Sequence, residues 1–231
     1  MIYFNGVALE SVAPVMVEDV RISPIQLGVT ARQRPIQPGA DFVRVTDGLR
    51  TVAITFGLLT QGTEDRQRQL DAVKAWARSD QPQRLDLPYH EGVHLVALVT
   101  ELPEPSMRQW WESKLRMVFT CYDPYWRANT EHSASCGASF TVLGDASPLM
   151  RIENTLADAA TDQAYTRGDE SMTFSAIPAG KLTIDLNAQT AAVDGVSIMD
   201  KYSFGSTFLT PQTGSQTITG TGTVCWRERW A

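Results

Sequence analysis

Apolar residues recur at every second position through most of the first half of the chain, and at helical spacing in one segment only. In that segment Leu70, Val73, Trp76 and Ala77 share one helical face, Thr63 stands where a cap is needed, and Glu64 and Asp65 favour the positive end of a helix dipole. Pro82 forbids continuation, so a helix is predicted from Thr63 to just before it. Elsewhere, alternation combined with β-branched and aromatic content predicts strands from Met1 to Leu9, Glu18 to Gly28, Thr51 to Leu59, Arg84 to Tyr89, His94 to Leu102 and Lys114 to Cys121. Between Gly28 and Arg50, Pro35, Pro38, Gly39 and Gly48 mark a long excursion of the kind that is often functional in compact domains.

The stretch Phe119 to Trp126, FTCYDPYW, reads as a stop. Pro124 lacks an amide donor and pushes Asp123 towards an extended conformation, while Tyr122, Tyr125 and Trp126 bring large apolar areas, so a packed junction is expected here. Beyond it, Thr130 to Ala138 is small and polar and reads as a loop or exposed connection. Short strands follow at Met150 to Asn154, Ser171 to Ile177, Lys181 to Leu186, Ala191 to Ile198, Thr207 to Thr210, Gln216 to Thr219 and Thr223 to Arg229, separated by Gly, Pro, Asn and Asp. Lys181 to Leu186 and Ala191 to Ile198 read as a hairpin closed through NAQT, with a further turn at Asp194-Gly195. The pattern predicts a mainly β protein of two domains, residues 1–128 with one helix and residues 129–231 as an antiparallel sandwich.

Composition narrows the function classes. A chain of 231 residues with a formal charge of -6 and a pI near 5.1 lacks the basic surface from which nucleic-acid binders gain counterion release. No apolar run approaches the ~20 residues that span a bilayer, and MIYFNGVAL has neither a basic start nor a long apolar core, so synthesis in the cytoplasm without membrane insertion is expected. Cys121, Cys136 and Cys225 are odd in number and form no CxxC, which predicts small buried hydrophobes and neither a disulfide framework nor a zinc knuckle.

The sharpest chemical pattern is His90-Glu91-Gly92-Val93-His94, which satisfies HExxH. On a helix the two imidazoles would share a face and bind zinc while the glutamate polarised a water, with Glu112 as a distant third ligand. Pro88, the internal Gly92 and strand-like flanks predict a hairpin turn instead. No GxSxG elbow accompanies the serines, and TITGTGTV lacks the Lys-Ser/Thr and helix of a phosphate loop. Trp110 and Trp111 with Tyr89 are the residues that a sugar-stacking platform would use, although such residues are more often core or interface. The expectation is a protein without catalytic site, metal or cofactor.

The order of motifs along the chain resembles the distal tail proteins (Dit) of siphophages. The resemblance runs through IYFNGVAL, the Pro38-Gly39 loop leading to Arg50, the helix ending in VKAW, RLDLPY, HLVALVTEL and KLRMVFTCYDPYW. It continues in PLMRIENT, KLTIDL, AAVDGVSI and the ending FLTPQTGSQTITGTG to CWRERW. Two places depart from the family: Pro211-Gln212-Thr213-Gly214 stands where a Pro-Gly pair is common, and Ala40-Asp41 where a tighter Asp-Gly is frequent. The resemblance implies a structural virion protein at the distal end of the tail, with an N-terminal domain akin to tail-tube subunits and a C-terminal galectin-like sandwich. It implies a homohexameric ring joining the tail tube to the tail-tip hub, with the tail-tube protein and the hub protein as partners and DNA passing through the lumen without specific binding. Arg32, Arg34, Asp41 and Arg44, on the loop from Ala31 to Asp47, are the candidates to pair across a ring interface. A tail-tube subunit, a carbohydrate-binding adhesion module and, more remotely, a zinc peptidase are the alternative readings.

Overall fold

The computed structural model describes residues 1–33, 38, 40–60, 62–104 and 114–231. The chain divides into two compact units, Met1–Trp126 and Arg127–Ala231. The first holds β1 (Tyr3–Phe4), β2 (Val7–Ala8), α1 (Leu9–Val12), β3 (Val15–Ile22), β4 (Leu27–Gln33), β5 (Ala40–Asp47), β6 (Arg50–Leu58), α2 (Thr63–Ala77), β7 (Gln83–Asp86), β8 (Val93–Glu101) and most of β9 (Lys114–Ala128). Its sheet runs in the order β2-β1-β7-β8-β9-β6-β3, and the β4–β5 pair stands apart as a two-stranded sheet.

Helix α2 forms where the apolar spacing puts it and buries Leu70, Val73 and Ala77. Gly62, not Thr63, occupies the cap position, and Thr63 is the first helical residue. Trp76 fixes the helix to the sheet: its ring meets Phe4 edge-on at 5.7 Å and Phe119 at 6.4 Å, and its indole N–H donates to the carbonyl of Val7 at 3.0 Å. Strand β6 alternates buried and half-buried residues along its length, sending Val52, Ile54 and Phe56 into the same core.

Further expectations for this half change: the strand expected from Glu18 to Gly28 is instead the end of β3, which stops at Ile22, and the start of β4. Met1 to Leu9 is a tight hairpin, not one strand, because Asn5 (φ 51°) and Gly6 (φ 77°) supply the two left-handed residues that a two-residue turn needs. The excursion after Gly28 is itself a strand pair. The strand entering FTCYDPYW also does not stop at Pro124, since β9 continues to Ala128. Its ladder with β6 ends at the Arg50–Cys121 pair, so Pro124 lies past the last donor that β6 demands and its fixed φ suits extended backbone.

The second unit contains β10 (His132–Ser135), β11 (Ser139–Val142), β12 (Ala146–Leu156), β13 (Ala160–Arg167), β14 (Glu170–Ile177), β15 (Gly180–Asp185), β16 (Thr190–Val193), β17 (Val196–Ser197), a 3-10 turn at Met199–Lys201, β18 (Gly214–Thr217) and β19 (Thr223–Trp230). Strands β17-β16-β15-β12-β19-β10 pair antiparallel in that order, and β11–β18 and β13–β14 form two further pairs. Met150, Ile152, Leu182, Ile184 and Val224 from the larger sheet share one core with Phe140, Tyr165, Met172 and Phe174 from the two pairs and with Ile218 just after β18. The polar stretch from Thr130 to Ala138 is not a free connection: β10 lies within it and pairs with β19 from His132–Trp226 to Ser135–Thr223. Thr207 to Thr210 forms no strand. The Asp194-Gly195 turn is as expected, with both residues at positive φ.

Candidate assembly surface

Strands β4 and β5, exposed at every residue, build an arm. Opposed pairs such as Val29–Val45 and Ala31–Phe42 share a face, and a bulge at Val43 separates the Thr30–Arg44 and Ala31–Phe42 pairs. One face of the ribbon therefore carries Leu27, Val29, Ala31, Phe42 and Val45, an apolar stripe in water with Phe42 67 % exposed, bounded by Asp47 opposite Leu27 at one end and Gln33 opposite Ala40 at the other. The opposite face carries Thr30, Arg32, Asp41, Arg44 and Thr46. Of the four expected interface residues, Arg32 and Asp41 are thus cross-strand neighbours, Arg44 shares their face, and Arg34 lies outside the described residues. Sequence reasoning picked the charged face and passed over the apolar one. The signal was present in LGVTARQ and ADFVRVTD, whose alternation is ordinary for strands.

The arm is held at its base. Gln26 donates its amide to the Leu49 carbonyl at 3.0 Å and accepts from Gly48 at 2.7 Å, and Ser23 and Thr51 close the next rung. The Tyr125 hydroxyl donates to the Asp47 carboxylate at the end of β5. Beside it, Trp126 stacks on His90 at 4.3 Å, with the buried Arg50 guanidinium 5.9 Å from its ring centroid. Cys121, opposite Arg50 in the ladder, is a buried thiol pushed up to about 12 by its burial, with Arg50 opposing the shift. The aromatic cluster expected to mark a stop anchors the arm.

His90, Glu91 and Gly92 form the β7–β8 turn, with Tyr89 and Gly92 at positive φ, and His94 is a buried residue of β8. The helix on which HExxH chemistry depends is not formed, and His90 spends its ring on Trp126. Among the described residues no group of three or more His, Cys, Asp or Glu is placed to hold a metal. Trp110, Trp111 and Glu112 lie outside the described residues.

Strand β3 pairs with β6 alone among the described residues, leaving an outer edge. A groove of 450 Å³ runs beside it, lined by Glu10, Val17, Glu18, Val20, Pro88 and Tyr89 among others. In the second unit the outward face of the larger sheet is a charge ladder. Arg151 forks onto Glu131 at 2.6 and 2.8 Å and onto Glu153 at 2.7 Å, and Lys181 closes on Glu153 at 2.9 Å. The Arg151 hydrogen bonds hold both carboxyls below their ordinary range. No exposed Phe, Tyr or Trp lies on this face: among the described residues of the unit, Phe204, on a turn away from these strands, is the one exposed member of those three types.

No family model and no curated protein matches the sequence. Among solved structures, the Dit protein (gp 19.1) of phage SPP1, described as a paradigm of the hub adsorption apparatus in phages infecting Gram-positive bacteria, superposes with a TM-score of 0.82 at 17 % identity, covering 100 % of this chain and 98 % of that one. The chain has the fold of a distal tail protein. Two structures of the phage p2 baseplate in its activated conformation, with Sr and with Ca, show a weaker likeness: each has a TM-score of 0.48, with 8 % and 7 % identity, covering 95 % and 96 % of this chain and 91 % and 92 % of theirs. The expected mainly β architecture holds throughout, and with it the resemblance, at the level of the fold.

Proposed function

We propose that this protein is a structural component of a long non-contractile phage tail, forming a ring of six that joins the tail tube to the tail-tip hub and host-adsorption apparatus. The observation that carries the reading is the likeness in fold to the SPP1 Dit protein over essentially the whole of both chains. Residues 1–128 build the ring and residues 129–231 face outward. A tail-tube subunit would have no use for the second unit, and a glycan-binding module would set aromatic rings on a sheet face where this chain sets Arg151, Glu153 and Lys181.

A cyclic ring needs two unlike patches, one meeting the other on the next copy. The arm supplies the first, with its apolar stripe and the Arg32, Asp41 and Arg44 face. The outer edge of β3 and its groove supply the second, because an unpaired strand edge beside Val17 and Val20 accepts an extended segment through main-chain hydrogen bonds. Electron microscopy of purified tails with labelled chain, and light scattering of the concentrated protein alone and with its tail-tube and hub partners, test the reading. Rings of six at the distal end of the tube are expected. A strict monomer in both settings, missing from purified tails, overturns it.

A further inference from the structure

The apolar face of the arm has nearly the same order read from either end. From base to tip its rungs are Leu27–Asp47, Val29–Val45, Ala31–Phe42 and Gln33–Ala40. Each end rung holds one apolar and one polar residue, and the two middle rungs are wholly apolar. A two-fold axis lying across the ribbon, midway between the middle rungs, sets β4 of one copy over β4 of a second and β5 over β5, running in opposite directions about 10 Å apart. Val29 then lies over the partner's Ala31, and Phe42 over the partner's Val45, with each contact made twice and the larger side chain meeting the smaller. Asp47 and Gln33 fall at the two ends, over the partner's Ala40 and Leu27, where water reaches them. An isologous interface requires such self-complementarity, whereas a head-to-tail ring contact does not, because its two patches are unlike.

We propose that the free chain forms a two-fold dimer through this face, arm on arm, and that the dimer withholds the stripe until ring assembly competes for it. Leu27 and Val29 are each 64 % exposed, Phe42 67 % and Val45 47 %. Covering these side chains removes roughly 400 Å² per copy, or ~800 Å² from the pair, which is below the ~1,200 Å² at which specific complexes become stable. The dimer is therefore weak and exchanges readily. That suits a reserve state: the stripe is covered while the chain is free and is released when a neighbour offers its β3 edge. The opposite face, with Arg32, Asp41 and Arg44, stays in water, so association through the arm stops at two. The regulatory role rests on the ring reading; the dimer itself does not.

Sedimentation velocity of the full chain alone, from ~5 to ~500 µM, reads the association, and a reversible equilibrium of monomer and dimer is expected. Val29→Arg sets a charge at the centre of the face and raises the dimer dissociation constant at least ~30-fold, whereas Thr30→Arg, on the other face of the same strand, changes it less than ~3-fold. Ala31→Glu alone is equally damaging. A mixture of Val29→Arg and Ala31→Glu chains restores a one-to-one dimer, which two misfolded arms would not do. Photoreactive p-benzoylphenylalanine at position 42 reads the register: in the cross-linked dimer it is joined to β5 of the second copy, at or beside the partner's Val45. A monomer throughout the range, a dimer indifferent to Val29→Arg, a mixture that fails to dimerise, or a cross-link to the second copy's β3 each overturns the proposal. The last result would leave the ring contact standing. A dimer of this kind in a chain that never enters tails would overturn the tail reading alone.

Discussion

The arm β4–β5 and the pair β13–β14 are nearly the same object in two settings. Each is an isolated antiparallel ribbon of seven opposed pairs. In β13–β14 one face is driven home: Tyr165, Met172, Phe174 and Ile177 are fully buried against the core of the second unit. In the arm the equivalent face, Leu27, Val29, Phe42 and Val45, meets water. A two-stranded ribbon with no packed face is marginal in water, and a soluble chain does not ordinarily expose so long an apolar stripe. The difference teaches that this chain completes β13–β14 with its own core and leaves the apolar face of the arm in water, where the proposed ring would have to cover it.

The largest effect separates the two ribbons by folding. Phe174→Ala empties the core under the Tyr202–Phe208 stack and is expected to destabilise the second unit by ~3–5 kcal/mol, read as a fall in the denaturant midpoint. The double change Phe42→Ser and Val45→Ser in the arm removes comparable side chains but is expected to shift stability by less than ~0.5 kcal/mol each. Its effect appears only in assembly: rings seen with the parent protein are lost, or their dissociation constant rises by at least ~30-fold. An arm variant as destabilising as Phe174→Ala would erase the comparison.

How much of this was legible depends on where the deciding contact lies. Helix α2 was readable because its period, its acidic first turn and Pro82 are all local. The β7–β8 turn was readable for the same reason, from Pro88 and Gly92. Strand β13 was not, since ATDQAYTR carries one large core residue, Tyr165, and its other positions are small or polar. The Asn5-Gly6 hairpin was hidden inside an alternation that looks continuous in sequence and folds back in space. At the candidate site, Pro35, Pro38 and Gly39 located the excursion correctly but suggested a loop, so its charges were noticed and its stripe was not. Pro124 misled because proline marks the absence of a donor, and whether that matters depends on a neighbouring strand that the sequence does not display.

The charge ladder sharpens the comparison from the side of the finished unit. Glu131 and Glu153 have folded values below their ordinary range, so the stability they contribute is fully present above about pH 4.5 and is lost as the pH falls through the depressed values. Arg151→Gln should therefore lower the melting temperature of the second unit at pH 7, and the gap from the parent should close towards pH 3. With Arg151 37 % and Glu131 28 % exposed, solvent screening limits the effect to about 1 kcal/mol, or ~4–8 °C for a unit of this size. Arg44 stands on an exposed strand of the arm, and Arg44→Gln should lower the melting temperature at pH 7 far less than Arg151→Gln does. A pH-independent gap for Arg151→Gln would mean that packing of its stem, and not the ion pairs, was lost.

The smallest effect tests how an unfinished ribbon keeps its shape. The arm gains little from burial, so its order rests on its base, where Tyr125 donates to Asp47 and the Gln26, Gly48 and Leu49 main chain closes the neck. Tyr125→Phe deletes one charge-assisted hydrogen bond at an exposed site and keeps the ring, a local cost of about 1 kcal/mol that global unfolding should barely register. Local opening is different, because no residue of β4 or β5 is buried and a change of that size raises the open population roughly fivefold. Amide exchange over Leu27–Asp47 should therefore quicken about fivefold in Tyr125→Phe, while exchange in β13–β14 stays at the parent rate. In the assembled ring the arm would be covered, and the same variant should show no acceleration. Acceleration that persisted in the ring would mean that the arm remains uncovered there, and the contrast between the two ribbons would lose its functional meaning.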